Sequence, residues 1–526
     1  MTTALLLNGR VHSPALPDAT ALAVRDGVVA WLGSDDVGRA QFPDATVTDL
    51  EGGFVAPAFV DSHVHTTATG LALTGLDLRP ATSLRHCLDM LVQFVRTHCD
   101  DVVWGHGWDE SRWPERRPLT SADIDAVVGD RLAYLARVDV HSAAVSTRLR
   151  RAAGIEAQEP VTGAAHHRVR RLAREQLSAA QRDEARRAAL DAAAAHGIAA
   201  VHECAGPDIG GLDDWQELQA HQHGVEVVGY WGEPVETVEQ ARALMASTRA
   251  RGLAGDLFVD GALGSRTAWL HEPYADAPAD CATPTGNSYL GVDEVSAHLA
   301  ACTEAGVTAG FHVIGDAAVA AVVTALRTVV DRFGVAAVAR CGHRLEHLEM
   351  VSEEQAAQLG SWGVIASMQP NFDALWGGAH GMYAQRLGVE RAAQLNRFAL
   401  LASRGVPLAF GSDSPVTGVN PWATIRAATM HHTPGSAISA RAAFAAATRG
   451  AWRAGGVRDG VTGTLVPGAP ATYAVWDAED FDIAAPADAV QRWSTDPRAR
   501  VPVLPRLDGE LPRCRQTVHR GRVLYG

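Results

Sequence analysis

The chain has 526 residues, 47% of them apolar and 20% charged, which is ordinary globular composition and too long for one hydrophobic core, so one large domain with at least one smaller unit is expected. A formal net charge of −14 disfavours nucleic acid or an anionic membrane as partner. The seven cysteines are scattered and never spaced C-x-x-C, which argues against a disulfide framework or a thiolate zinc site and fits a reducing cytoplasm. No stretch reaches the ~18 continuous apolar residues of a membrane span, and the N-terminal residues do not read as a signal peptide. All 46 basic residues are arginine, so the chain contains no lysine.

In chain order, the first fifty residues read as short strands, at Ala4–Leu7, Ala21–Val24 and Val28–Leu32, separated by the turns Asn8-Gly9 and Asp26-Gly27. The C-terminal end has the same texture, at Ala471–Trp476 and Thr517–Leu524. These ends predict one small β-sandwich domain assembled from residues 1–56 and 464–526. Between them, residues 57–463 alternate apolar runs with helix-like stretches. The runs are Phe59–Val64, Ala199–Glu203, Leu257–Val259, Val307–His312, Val364–Met368 and Pro407–Gly411. The helical stretches include Ser178–His196, Val292–Ala305, Ala317–Phe333, Ser352–Leu359 and Ala392–Arg404, several followed by a glycine suited to a C-cap. Such alternation predicts an α/β fold with a parallel sheet. His63, His65, Glu203, His312, His347 and Asp413 all fall at the C-terminal ends of candidate strands, which favours a TIM-like (β/α)₈ barrel. Residues 75–175 break the alternation and read as an insertion after the first barrel strand. They carry Trp104, Trp108 and Trp113 and a basic run, His166–Arg174, taken as a solvated helix face.

The strongest chemical signal is Phe59-Val-Asp-Ser-His-Val-His65. Residues two apart in a strand share a face, so His63 and His65 present two imidazoles together, a ready pair of ligands for zinc or a similar ion. His312 and His347 end two later strands and extend the set, whereas His343 falls before its strand begins. Asp413, in Gly411-Ser-Asp-Ser-Pro415, can touch a metal and carry a proton; the alternative is a helix N-cap, which Ser414 could fill as well. Catalytic roles are therefore expected for Asp413 and His347.

Together the His63-x-His65 pair, His312-Val-Ile-Gly-Asp316, Arg344-Leu-Glu-His347 and Gly411-Ser-Asp413 resemble the amidohydrolase superfamily. More narrowly they look like the branch of amidohydrolase family 3 that contains N-substituted formamide deformylase. Phe258-Val-Asp-Gly-Ala-Leu-Gly-Ser-Arg-Thr267 and Gly107-Trp-Asp…Arg112-Trp113 resemble that branch's signatures, and the resemblance spans nearly the whole chain. It implies hydrolysis of an amide or formamide C–N bond by metal-activated water. His63 and His65 would bind one metal, His312 and His347 a second (or His312 would join the first), with Asp413 as ligand and proton shuttle.

The sequence departs from that pattern at one place. Many relatives bridge two metals with a carbamylated lysine, often placed just before the Phe-x-Asp-Gly run, where this chain has Asp256. Without lysine no such carbamate can form. Glu203 is the expected substitute bridge, because Asp256, read as the start of the Leu257–Val259 strand, would lie at the wrong end of the barrel. A mononuclear site of His63, His65, His312 and Asp413 stays open. Arg266, Trp108, His141 and Gln369 are the candidates for substrate contact, with packing or ion pairing as the competing reading for each. The remaining expectations are a small-molecule substrate, zinc as the default divalent ion, one or two ions per site, a cytoplasmic location, and an oligomeric state left open, a homodimer included. A deaminase or cyclic-amide hydrolase on the same centre, or a metal-binding regulatory protein without turnover, are the rival functions.

Overall fold

A computed structural model describes residues 3–98, 102–138, 140, 142–156, 159–279, 281–482 and 502–526. Its centre is an eight-stranded parallel sheet in sequential order. The strands are β1 (Phe59–Val64), β2 (Ile198–Ala205), β3 (Glu226–Trp231), β4 (Gly252–Leu253), β5 (Thr308–Val313), β6 (Arg344–His347), β7 (Ile365–Met368) and β8 (Leu408–Phe410). A parallel bridge between Val64 and Ser414, with the Asp413 amide donating to the His63 carbonyl at 2.8 Å, brings the last strand back to the first. The fold is therefore the expected TIM-like barrel, helices outside and strand C-termini at one mouth.

Local sequence accounts for most of these elements. Ser178 caps the helix Ala179–Ala195 in a reciprocal box with Gln181, and Gly306, left-handed at φ 71°, closes Val292–Ala305. The barrel interior is layered. Val60, Ala200, Ile365 and Ala409 pack at one level. A polar group centred on Arg344 lies in the interior with them. Its guanidinium binds Glu346, donates to the Ser62 carbonyl at 2.7 Å and to Ser367 Oγ at 2.9 Å, and sits 4.4 Å from the centre of the Tyr230 ring.

Both chain ends contribute to the smaller sheets. Thr3–Leu7, Ala21–Arg25, Val28–Gly33 and Thr46–Asp49 form one; Arg10–Val11, Phe54–Pro57, Tyr473–Asp477, Arg513–His519 and Arg522–Tyr525 form the other. They share an apolar core that includes Leu6, Leu22, Val29, Val475 and Val518, the β-sandwich that the two strand-rich termini imply.

The segment after β1 forms its own five-stranded sheet, from Leu76–Asp77, Val102–Trp108, Leu132–Arg137, Ser142–Val145 and Val161–Thr162. Trp108 lies in its core, fully buried, with Nε1 donating to the Leu135 carbonyl at 2.8 Å, and Trp113 packs nearby. The expectation that Trp108 touches substrate is corrected: a buried indole needs a hydrogen-bond acceptor, and this one finds it in the insertion's own backbone. Among the described residues no helix is long and apolar enough to cross a membrane.

Candidate metal centre at the barrel mouth

Six side chains, from the ends of β1, β5 and β6 and from the turns after β4 and β8, converge at the C-terminal mouth. His63 Nε2 lies 3.5 Å from Asp256 Oδ1 and 3.5 Å from Asp413 Oδ1. His65 Nε2 lies 3.1 Å from Asp256 Oδ2 and 3.4 Å from Asp413 Oδ1. His312 Nδ1 is 3.5 Å and His347 Nε2 3.8 Å from the same oxygen, Asp256 Oδ1. The structure thus brings together His63, His65, His312, His347 and Asp413, and adds Asp256 at their centre.

Asp256 was expected at the far end of the barrel, and the structure overturns that reading. The strand before it is Gly252–Leu253, not Leu257–Val259, so Asp256 follows its strand and emerges at the mouth. Gly255, at φ 81°, makes the left-handed turn that aims it inward. Gly232 lets the Asp256 backbone approach, since a Cβ there would lie 2.9 Å from the Asp256 carbonyl.

Glu203, the expected bridge, is not among the converging groups. Its Oε2 accepts the Thr66 amide at 2.7 Å, at the start of the helix Thr66–Thr74. Along β2 it is His202 that meets Arg344, with its Nδ1 accepting from Nη1 at 3.0 Å, and Cys204 that lies beside His63. Alternation along the strand puts Glu203 on the opposite face.

Three of the four imidazoles are held from behind, while His65 Nδ1 is buried without a hydrogen-bond partner among the described residues. His63 Nδ1 donates to Glu346 Oε2 at 2.9 Å, and Glu346 is fixed in turn by Arg344. His347 Nδ1 donates to Gln369 Oε1 at 2.7 Å, and His312 Nε2 donates to the Gly261 carbonyl at 3.2 Å. These bonds fix the tautomers so that His63 Nε2, His312 Nδ1 and His347 Nε2 face Asp256 as lone-pair donors. Asp260, buried, accepts the amides of Trp269, Ile314 and Gly315 and pins the loop to the end of β5. His347 and Asp413 adopt left-handed backbone at φ 69° and 53°, a strain of about 1–3 kcal/mol each of the kind found where a side chain must be aimed. Asp413 caps no helix: the next one, Pro421–Thr429, is capped by Asn420.

The electrostatics favour cations. Burial opposes charge on His65, but hydrogen bonds and charge from Asp256 and Asp413 raise it to about 9. Burial opposes charge on His63 as well, but Cys204, Asp413 and Asp256 beside it hold it well above the usual imidazole value. Two buried carboxylates amid four imidazoles demand positive charge. His63 Nε2, His312 Nδ1 and Asp256 Oδ1 are buried without a hydrogen-bond partner among the described residues, and they point at one another. Such convergent orphan donors suit a divalent ion, and His63, Asp256 and His347, or His63, His65 and Asp413, lie close enough to share one.

The other sequence candidates fall elsewhere. Arg266 is an ion-pairing residue: Nε and Nη2 bind Asp276 at 2.9 and 2.8 Å, which corrects its expected contact with substrate. Gln369 is buried and acts on His347 rather than lining the cleft. His141 lies outside the described residues. Sequence reasoning missed Asp256, Glu346 and Asp260; Glu346 sits visibly inside Arg344-Leu-Glu-His347, where alternation with Arg344 could have placed both on one face.

Two clefts open from the cluster. One, about 840 Å³ including its mouth, runs under the insertion past Trp104, Tyr134 and Phe258. The other runs past Ile314, Glu349, Phe372 and Tyr383. Residues 46–525 match the amidohydrolase family. The chain is 22% identical to N-substituted formamide deformylase of Arthrobacter pascens, over 89% of this chain and 91% of that protein. It is 26% identical to Protein LONG AFTER FAR-RED 3 of Arabidopsis thaliana, over 91% and 89%. Among solved structures, an uncharacterized metal-dependent hydrolase from Pyrococcus furiosus superposes with a TM-score of 0.72 at 26% identity, covering 91% of this chain and 99% of that one. Match and architecture agree over most of the length: the chain belongs to the amidohydrolase family, and is a hydrolase of the metal-dependent kind.

Proposed function

We propose that this protein hydrolyses a carbon–nitrogen bond of the amide or formamide type at a centre formed by His63, His65, Asp256, His312, His347 and Asp413. The observation that carries the reading is the set of convergent, partnerless donors around Asp256. Zinc suits the mixed imidazole and carboxylate ligands, with Asp256 in the place of a lysine carbamate. Asp256 Oδ1 lies nearest His63, His312 and His347 and its Oδ2 nearest His65, so this carboxylate would be a central ligand whether the site held one ion or two. When bound, the metal would supply an activated water and Lewis acidity toward the substrate carbonyl.

The chain's own residues provide the rest. Asp413 Oδ1, beside His63 and His65, receives the proton released as water attacks and returns it to the departing nitrogen. Gln369 and Glu346 hold His347 and His63 in single tautomers throughout. The N-formyl amine acted on by the deformylase relative makes formamides the first class to try. A cytoplasmic location and a small-molecule substrate accord with the free cysteines and the enclosed clefts.

The test is metal analysis of protein purified after zinc supplementation, followed by assay against N-formyl amines, N-acyl amino acids and aminated heterocycles. One or two equivalents of metal, with chelator-sensitive and metal-restored C–N hydrolysis, is the expected result. Less than a tenth of an equivalent, or turnover indifferent to chelation, would sink the reading.

A further inference from the structure

The basic run His166–Arg174, expected as a solvated helix face, has two of its arginines turned toward the proposed centre. It forms the helix Gly163–Glu175, and Arg170 and Arg174, one turn apart, line the same cleft as His65, His312, His347 and Asp413. Like charges four residues apart repel in a helix, so the pair needs compensation. Nε and Nη1 of Arg174 and Nε of Arg170 are buried without a hydrogen-bond partner among the described residues. Arg170 Nη2 donates to the Asp208 carbonyl at 3.0 Å, and the carboxylates whose charge supports Arg174 each have one oxygen engaged elsewhere, Asp214 Oδ1 with Arg186 and Thr67 and Glu203 Oε2 with the Thr66 amide. Burial, and then the charge of Arg170, pull Arg174 down to about 10. A chain of net charge −14 thus keeps a pair of under-compensated guanidinium groups on the wall of its cleft. Trp104, Ile209 and Phe258 make the adjoining walls apolar.

We infer that Arg174, with Arg170, binds a carboxylate on the substrate, so that the preferred substrates are N-acyl or N-formyl amino acids with an apolar side chain. A guanidinium edge presents paired donors that match a carboxylate, and Arg174 has one unpartnered buried donor, Nε or Nη1, on each of two edges that a carboxylate would satisfy. The inference rests on the C–N hydrolase reading above. In the reaction, water adds to the acyl carbon, the C–N bond breaks, and one proton passes to nitrogen, giving a free amino acid and formate or another carboxylate.

The test uses zinc-supplemented full-length protein with N-formylphenylalanine and its primary amide, both enantiomers of each. Expected is a kcat/KM at least about tenfold higher for an acid than for its amide, set by KM. The Arg174→Gln and Arg170→Gln variants should each shrink that ratio, and Arg174→Lys should restore part of it. Binding of the same acids to chelator-treated protein, followed by calorimetry, supplies a readout independent of turnover and should weaken in Arg174→Gln. Equal or better use of the amide by the unaltered protein overturns the anion site while leaving the hydrolase reading intact. So does a ratio unchanged in folded Arg174→Gln. Acids that bind in an Arg174-dependent manner but are never cleaved support the anion site and refute the hydrolase reading instead.

Discussion

Replacing Asp256 by asparagine is the most direct test of the proposed centre, because it removes one charge and keeps the shape. The size of the effect follows from how strongly the site attracts a proton, which competes with metal for the same lone pairs. His65 is lifted from 6.5 to about 9 by Asp256 and Asp413 against the opposing effect of burial. That corresponds to roughly 3.4 kcal/mol of net preference for a single positive charge. Two carboxylates supply it and overcome burial besides, so Asp256 accounts for at least about 1.7 kcal/mol per unit charge, or about 3.4 kcal/mol for a divalent ion. Zinc affinity should therefore fall by at least about 300-fold in Asp256→Asn, measured by competition with a chromogenic chelator on protein whose melting curve shows it folded. Glu203→Gln is the matched control, since Glu203 binds the Thr66 amide on the other face of β2. A zinc Kd within about threefold of the unaltered protein in Asp256→Asn would refute the reasoning, as would a loss of one metal equivalent in Glu203→Gln.

Asp413→Asn, which asparagine's tolerance of left-handed backbone should leave folded, is expected to lower kcat by about 10²–10⁴ with KM little changed; normal turnover would remove Asp413 from proton transfer. Gln369→Leu removes the acceptor for His347 Nδ1 and should cost about 10- to 100-fold in metal affinity or kcat/KM, read by the same competition titration. His298 and His343 are buried and held down to about 4 and about 3, chiefly by desolvation. Because the unfolded chain takes up those protons first, the stability they protect is present above pH 6.5 and lost as pH falls toward 4, about 3 kcal/mol from His298 alone; a melting temperature flat from pH 7 to 4.5 would contradict this. Gly232→Ala places a methyl against the Asp256 carbonyl and should weaken zinc binding without touching a ligand, which metal titration would show directly.

Much of the barrel was legible because its signals are local. Runs such as Phe59–Val64 and Val307–His312 match β1 and β5 within a residue, and Val292–Ala305 is a helix over the same residues, closed by Gly306. Strands β3 and β6 were not singled out as runs. Glu226–Trp231 is half exposed over its first three residues, and Arg344–His347 is a buried strand made mostly of polar and charged residues. A strand whose side chains pair inside a barrel with Ser62, His202 and His63 need not be apolar, and composition hides it. The helix Gly163–Glu175 shows the opposite error: a run of basic residues reads as solvated, yet Arg170 and Arg174 face a cleft that only the folded insertion creates.

The two errors at the centre, Asp256 and Glu203, have one cause. Both were placed by assuming that a strand coincides with its most apolar residues and that the carboxylate nearest its end faces inward. In β4 the ladder residues before Asp256 are a glycine and a leucine, and the apolar triplet that follows Asp256 resumes pairing with the end of β5, the His312 amide donating to the Leu257 carbonyl and the Val259 amide to the His312 carbonyl. In β2 the pairing with β1 is irregular between Val201 and Glu203, and the inward face carries His202 and Cys204. A lysine that carries a carbamate could reach a metal pair from some distance on a long, flexible arm. An aspartate cannot, so its backbone must itself come to the mouth. Gly255 in left-handed conformation and Gly232 beneath the Asp256 carbonyl are the residues that allow this. Absence of lysine and presence of those two glycines are therefore linked features of one arrangement: a short-armed carboxylate brought by the main chain to where four imidazoles converge.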